Sequence, residues 1–375
     1  MSQNPGVGVV KKEKKWVRAL YALPLLAAVY GAHKTMGVTL DLLLPMLRAS
    51  IAGGEIQLAD GIVVPLYKKY FGIQGLDRFI SAFVTFFTPI IGDFDPISRT
   101  QGVAFLGDLI PLQTIWLVEG VRRGNYLTAA HLLPTVLGIL FQIKGLGFIA
   151  PIWFFLHYVQ SPLENYHAAE NRLTQIGAVK TIIPTIMLSY ILPSIAMCYV
   201  PGLENRQWIN GLLWQAFPLY AAVYQRIFGL FVKDTTEADR VSNPEADIPY
   251  LRRAYGFAAV TAAAFNLYAR FNPPGPIKDV FFAGISSPST VPNIMQGAAM
   301  FLKYDQIATF SAGAAWIMLS FWDLKSAGKV HLEWQKIFTI FGFLTSIFGP
   351  GAAMMIMWAW REEALVAKKK VAKKN

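Results

Sequence analysis

GAAMFLKYDQIATFSAGAAWIMLS, residues 297–320, decides the fold: Lys303 and Asp305 are the only charged side chains in its twenty-four positions. A bilayer crossing needs ~20 consecutive, mainly apolar residues, so the segment reads as a membrane helix. Lys303 and Asp305 stand two residues apart and point to different helix faces, so they do not neutralise each other directly. Working outward, further spans are expected near 102–119, 126–159, 178–201, 208–232, 252–271 and 335–360. The block 126–159 reads either as one long helix or as two short ones folded back at Lys144-Gly145. The N-terminal runs 19–32, 36–51 and 79–92 fall short of a full crossing and read as re-entrant, interfacial or tilted. The expected architecture is all-α, a polytopic integral membrane helical bundle with seven to ten spans and eight as the working count.

Composition points the same way. The chain is 54% hydrophobic and 15% charged, with a mean hydropathy of +0.40, where soluble domains carry about 25% charged residues. The net charge of +11 is concentrated at the ends. Lys11, Lys12, Lys14, Lys15 and Arg18 stand near the start; Arg361, Lys368, Lys369, Lys370, Lys373 and Lys374 stand near the finish. A nucleic-acid face would sit on the body of the fold, so nucleic acid is excluded as a partner. Basic ends beside apolar spans suit the cytosolic side of a bilayer. Residues 1–15 therefore read as a disordered basic cytosolic tail, 16–360 as the polytopic membrane domain and 361–375 as a Lys-rich cytosolic tail, with the endoplasmic reticulum as the expected location. The single cysteine, Cys198, allows no intramolecular disulfide and no cysteine-based metal site. No cleavable signal peptide is expected, and no internal repeat of the kind that organises transporters is visible.

Missing motifs narrow the chemistry. Enzymes that hold diphosphate through magnesium need clustered carboxylates, and Asp93-Phe-Asp95-Pro96, in a turn, is the nearest approach. The five histidines, His33, His131, His157, His167 and His331, do not form the pairs a di-iron centre needs. There is no nucleophile elbow, P-loop or dinucleotide-binding glycine pattern. No metal and no cofactor is expected.

Ionisable groups inside spans cost about 2.5–3.5 kcal/mol each at a helix centre and ask for a reason. Asp305 is the leading catalytic candidate, because a carboxylic acid in a dry apolar cavity can keep its proton and act as an acid. The competing reading pairs it with a cation such as Lys144 or Lys180. Asp108 is next, deep in the span 102–119. Glu119, three turns on and beside Arg122 and Arg123, reads as a solvated end charge. Glu164, His167 and Glu170 follow at i, i+3 and i+6. On a helix they would share a face as a hydrogen-bonded acid–base group at a cavity mouth. Aromatic faces stabilise cations, and Tyr220, Tyr224, Tyr268, Tyr304 and Trp316 are the candidates for a substrate-binding wall.

FPLYAAVYQR (217–226), FLKYDQ (301–306), SFWDLKSAGK (320–329) and ENYHAAENR (164–172), with the length and span pattern, resemble the fungal membrane-bound terpene cyclases of ascochlorin and ascofuranone biosynthesis. The resemblance runs over most of 100–360. It implies cyclisation of the epoxidised farnesyl chain of a meroterpenoid by protonation of the epoxide, without metal or diphosphate release. It also implies an oily, prenylated aromatic epoxide as substrate, the bilayer as surroundings and a pathway epoxidase as functional neighbour. A membrane transporter, with Asp305, Asp108 and Lys303 along a polar path, is the alternative.

Overall fold

A computed structural model describes residues 13–166, 169–233, 242–285 and 290–366. The chain there is nearly all helix. The longer elements are α1 Leu23–Gly53, α2 Gln74–Ile91, α3 Pro96–Gly120, α4 Gly138–Lys144, α5 Leu146–Gln160 and α6 Ile176–Tyr199. They continue with α7 Phe217–Gly229, α8 Ile248–Phe271, α9 Ile294–Ser326, α10 Trp334–Phe348 and α11 Pro350–Val366. Four of them, α1, α3, α6 and α9, are long and apolar enough to cross a membrane.

The expected eight spans are not reached by that measure, and the reasons are local. The block 126–159 is two helices, α4 and α5, parted at Gly145, whose φ of 91° only glycine adopts freely. The segment 335–360 is parted in the same way at Gly349, φ 90°. α8 is long enough but carries Arg252, Arg253 and Arg270. In the other direction, the runs 19–32 and 36–51 join into one helix. A π-turn at His33–Gly37 carries the chain through, and the 31 residues of α1 extend about 46 Å at 1.5 Å per residue. At the far end α11 runs through Val366, so Arg361 and Glu362 are buried in a helix rather than placed in a tail.

One small sheet interrupts the helices. β1 Glu55–Ala59 pairs antiparallel with β2 Ile62–Pro65 across the two-residue turn Asp60-Gly61. Gly61 takes φ 76°, the positive angle that such a tight turn requires. Gln207, on the helix Leu203–Ile209, bonds both to Pro65 and to the Tyr67 amide and ties the hairpin to the bundle.

The two broken helices are docked by aspartates from α3 and α9. Asp305 of α9 accepts the Gly147 N–H at the start of α5. Asp108 of α3 accepts the Gly351 N–H at the start of α11, at 2.9 Å. Asn266 and Gln306 add side-chain bonds to Asp108 at 2.8 and 2.9 Å. The first turn of a helix leaves N–H groups without intrahelical partners, and a buried carboxyl needs donors, so each end satisfies the other. Glycine makes the approach possible. A Cβ on Gly351 would lie 2.6 Å from the Asp108 backbone, and one on Gly147 would lie 2.9 Å from Ala308 Cβ.

A buried ion cluster closes one end of the bundle. Arg122 bonds Glu119 through Nε and Nη2, each at 2.9 Å, and also Glu362 on α11. Arg172 bonds Glu362 at 2.9 Å and Asp247 at 2.8 Å. Burial works against the Arg122 charge, but Glu119 and Glu362 outweigh it and hold its pKa well above the ordinary guanidinium value. Glu119 is fully buried, which corrects its reading as a solvated end charge. Three residues of chain bring Arg122 back onto it, and α11 covers both.

Two outcomes test this account. Glu362→Ala leaves two buried guanidinium groups short of a partner and is expected to cost about 3–5 kcal/mol, read as a lowered unfolding midpoint in detergent. Gly145→Ala combines a positive φ with a Cβ only 2.3 Å from Met36 Cε and is expected to cost about 1–3 kcal/mol. Gly31→Ala, with nothing within 4 Å, is the comparison and should leave stability equal or slightly raised.

Candidate active site

Beside the Asp305 dock lies a cavity of about 330 Å³, within the ~300–1,000 Å³ of small-molecule pockets. Its wall is drawn from α1, α2, α3, α4, the Gly145 break, Met197, Trp214 and α9. Eight of the residues on it are aromatic: Phe79, Phe83, Phe86, Phe87, Phe105, Phe141, Trp214 and Phe301. Asp305 is its one carboxyl group, Lys144 its one cation and Gln142 its one amide side chain.

The acid is oriented. Oδ1 of Asp305 is taken by the Gly147 N–H. Oδ2 lies 3.4 Å from where a Cβ on Gly145 would sit, which leaves it the carboxyl oxygen not held by that bond. Asp305 itself is 5% exposed. Among the described residues no cation is within ion-pair distance of it. Lys180 lies against the Tyr250 ring at 4.9 Å, and Lys303 donates to the backbone carbonyls of Asp279 and Ala283.

Aromatic faces begin one turn from the acid. Phe301, four residues before Asp305, meets Phe86 edge-to-face at 5.2 Å. Phe86 meets Phe87 at 5.1 Å, and Phe87 meets Trp214 at 4.9 Å. These edge-to-face pairs make a continuous ring-lined strip of wall. The mouth is marked by exposed wall residues: Phe79 and Ile143 are 49% and 39% exposed, and Lys144 is exposed beside them.

Of the catalytic and substrate-binding candidates named from the sequence, Asp305 alone lines this cavity. Asp108 is fully buried nearby, its two oxygens occupied by three donors from Asn266, Gln306 and Gly351. Glu119 belongs to the ion cluster. Glu164 stands in a short 3₁₀ turn, Leu163–Tyr166; His167 and the Glu170 side chain lie outside the described residues. Trp316 stacks on Trp358 at 4.3 Å and donates to His157 Nδ1 at 3.3 Å, eleven residues and about 16 Å along α9 from the acid. Tyr220 donates to the Leu212 carbonyl and lies 6.3 Å from Tyr224. Tyr268 is 54% exposed, and Tyr304 is buried off the wall. Tyr220, Tyr224, Tyr268, Tyr304 and Trp316 do not line this cavity, whose rings are phenylalanines and Trp214. Phe79, Phe83, Phe86 and Phe87 recur at i, i+4, i+7 and i+8, a helical stripe that could have been read from sequence. Among the described residues no group of three or more His, Cys, Asp or Glu side chains converges as metal ligands would.

The chain is 35% identical over 371 residues to the FAD-dependent monooxygenase BOA8 of Botryotinia fuckeliana (strain B05.10), covering 95% of this chain and 47% of that protein. It is 29% identical to the FAD-dependent monooxygenase verC1 of Penicillium polonicum, covering 98% of this chain and 45% of that protein. The chain thus spans about half the length of these curated relatives. It is also 26% identical to the terpene cyclase ascI of Acremonium egyptiacum, over 75% of this chain and 70% of that protein. No solved structure matches. The CtvD domain model matches residues 18–366, and with Asp305 and its cavity inside that match, the chain belongs to the CtvD domain family.

Proposed function

We propose that the protein is a membrane-embedded cyclase that opens an epoxide on an oily prenyl chain by protonation and closes rings within the apolar cavity. The observation that carries the reading is Asp305: one carboxyl group, oriented by a backbone N–H, on an aromatic wall of about 330 Å³. Relatives named terpene cyclases across most of the chain length support it. An oily epoxide partitions into the bilayer, and the mouth between Phe79 and Ile143 gives it a lipid-side entrance.

Asp305 donates its proton to the epoxide oxygen as the carbon–oxygen bond breaks, leaving a hydroxyl group and a carbocation. A neighbouring alkene supplies the electron pair for the new carbon–carbon bond, and the positive charge moves along the chain. The cavity fixes the folded chain beforehand, which removes much of the entropic barrier. Phe301, Phe86, Phe87 and Trp214 face the migrating charge; each such contact is worth about 0.5–2 kcal/mol when dry. Apolar walls keep out the water that would trap the cation. The last cation loses a proton, and the Asp305 carboxylate left by the first step takes it, so the acid is regenerated and the reaction is a net isomerisation. The epoxide is made by an oxygenation that precedes this step, the class of reaction named in the longer relatives.

Asp305→Asn keeps the shape and the Gly147 bond but removes the transferable proton. Membranes carrying it are expected to cyclise a prenylated aromatic epoxide at least 10²-fold more slowly than wild type, the lower bound for losing a general acid. Product analysis checks this, and undiminished turnover removes Asp305 from the role.

A further inference from the structure

We propose that Lys144 and Gln142 form a head-group site at the cavity mouth, for substrates whose oily chain ends in an acidic oxygen, a carboxylate or an ionised phenol. The inference rests on the cyclase reading and deepens it by naming the polar end of the substrate. Lys144 is the last residue of α4 and the one cation on the cavity wall. Among the described residues its side chain makes no hydrogen bond, ion pair or ring contact. This sets it apart from Lys303, Lys180 and Lys68, which are each engaged by backbone carbonyls or a ring.

Gln142, two residues earlier, is held in one orientation. Its Nε2 donates to the Trp214 and Gln215 carbonyls at 3.3 and 3.1 Å. With both donor directions spent, Oε1 is the polar atom it has left, an acceptor for a hydroxyl or a protonated acid. A cation and an acceptor side by side suit a head that carries both an acidic oxygen and an O–H. The rest of the mouth is Phe79, Ile143 and leucines of α1, so an ion pair formed there is shielded more than one in open water. Lys144 and Asp305 flank Gly145, which places head and reacting oxygen at the same end of the cavity. The chain between them doubles back past the phenylalanines, in the folded form that ring closure needs.

The test is binding, separate from turnover. The full chain in neutral, phosphate-free detergent is titrated with 3-farnesylbenzoic acid and with its methyl ester, neither of which carries an epoxide. Wild type is expected to bind the acid at least tenfold tighter than the ester. Lys144→Met should abolish that preference while leaving ester affinity unchanged, and Lys144→Arg should retain it. Equal affinity of wild type for the two probes, a preference that survives in Lys144→Met, or no saturable binding of either probe overturns the proposal. Adding phosphatidylglycerol to the micelles separates a lipid phosphate from a substrate head: if Lys144 serves lipid, the acid preference vanishes in its presence and the proposal falls. A protein that binds the acid as expected but fails to cyclise any epoxide refutes the cyclase reading alone.

Discussion

A carboxyl group buried among apolar side chains must find donors, and the first turn of a helix has donors without partners. That complementarity organises this protein. Asp305 on α9 meets the start of α5, and Asp108 on α3 meets the start of α11. Each dock needs a helix interrupted at a glycine with positive φ, and each needs small residues where the two backbones approach. The two arrangements are alike in detail: Gly145 and Gly349 share φ near 90°, and the donating N–H belongs in both to the second residue after the break. What separates them is the space beside them. Asp108 is closed in by Asn266, Gln306 and Gly351, while Asp305 borders a cavity.

In the proposed mechanism that difference is what turns a structural device into chemistry. One oxygen of Asp305 is fixed by the backbone, which in that mechanism would set the direction of proton transfer before any substrate enters. Helix α2 supplies the stripe of phenylalanines opposite, and Phe301 brings the aromatic surface to within one turn of the acid. The buried ion cluster of Glu119, Arg122, Arg172, Asp247 and Glu362 holds the other end of α3 and α11, so the bundle around the cavity is fixed from a distance. Membership of the CtvD domain family agrees with the resemblance read from the residues, and relatives twice as long place the same region beside further sequence in one chain.

Much of this was legible without coordinates. The apolar block around 297–320 gave the longest helix and its acid, because an unexplained charge in a long apolar run is conspicuous whatever surrounds it. Gly145 was visible as one of two possible folds of 126–159. The aromatic wall was not read: tyrosines were favoured for their proximity in sequence to polar groups, but helix periodicity says which residues share a face and not which face meets a void. Glu119 was misplaced for a related reason, since its cover comes from α11, more than two hundred residues away. The short hairpin is signalled locally by Asp60-Gly61, but the apolar pattern on either side is too brief to mark the strands. The fusion of 19–32 with 36–51 depends on a π-turn, which leaves no signature in composition.

The claim that matters most is that a substrate oxygen meets Asp305 inside the phenylalanine-lined cavity. A structure of the protein bound to an unreactive cyclic ether analogue of the prenyl epoxide examines it directly. The account predicts the ether oxygen at hydrogen-bonding distance, about 2.5–3.0 Å, from the Asp305 carboxyl, with the chain folded along Phe301, Phe86 and Phe87. Density for the analogue outside this cavity, or inside it with the oxygen turned to another group, would contradict it.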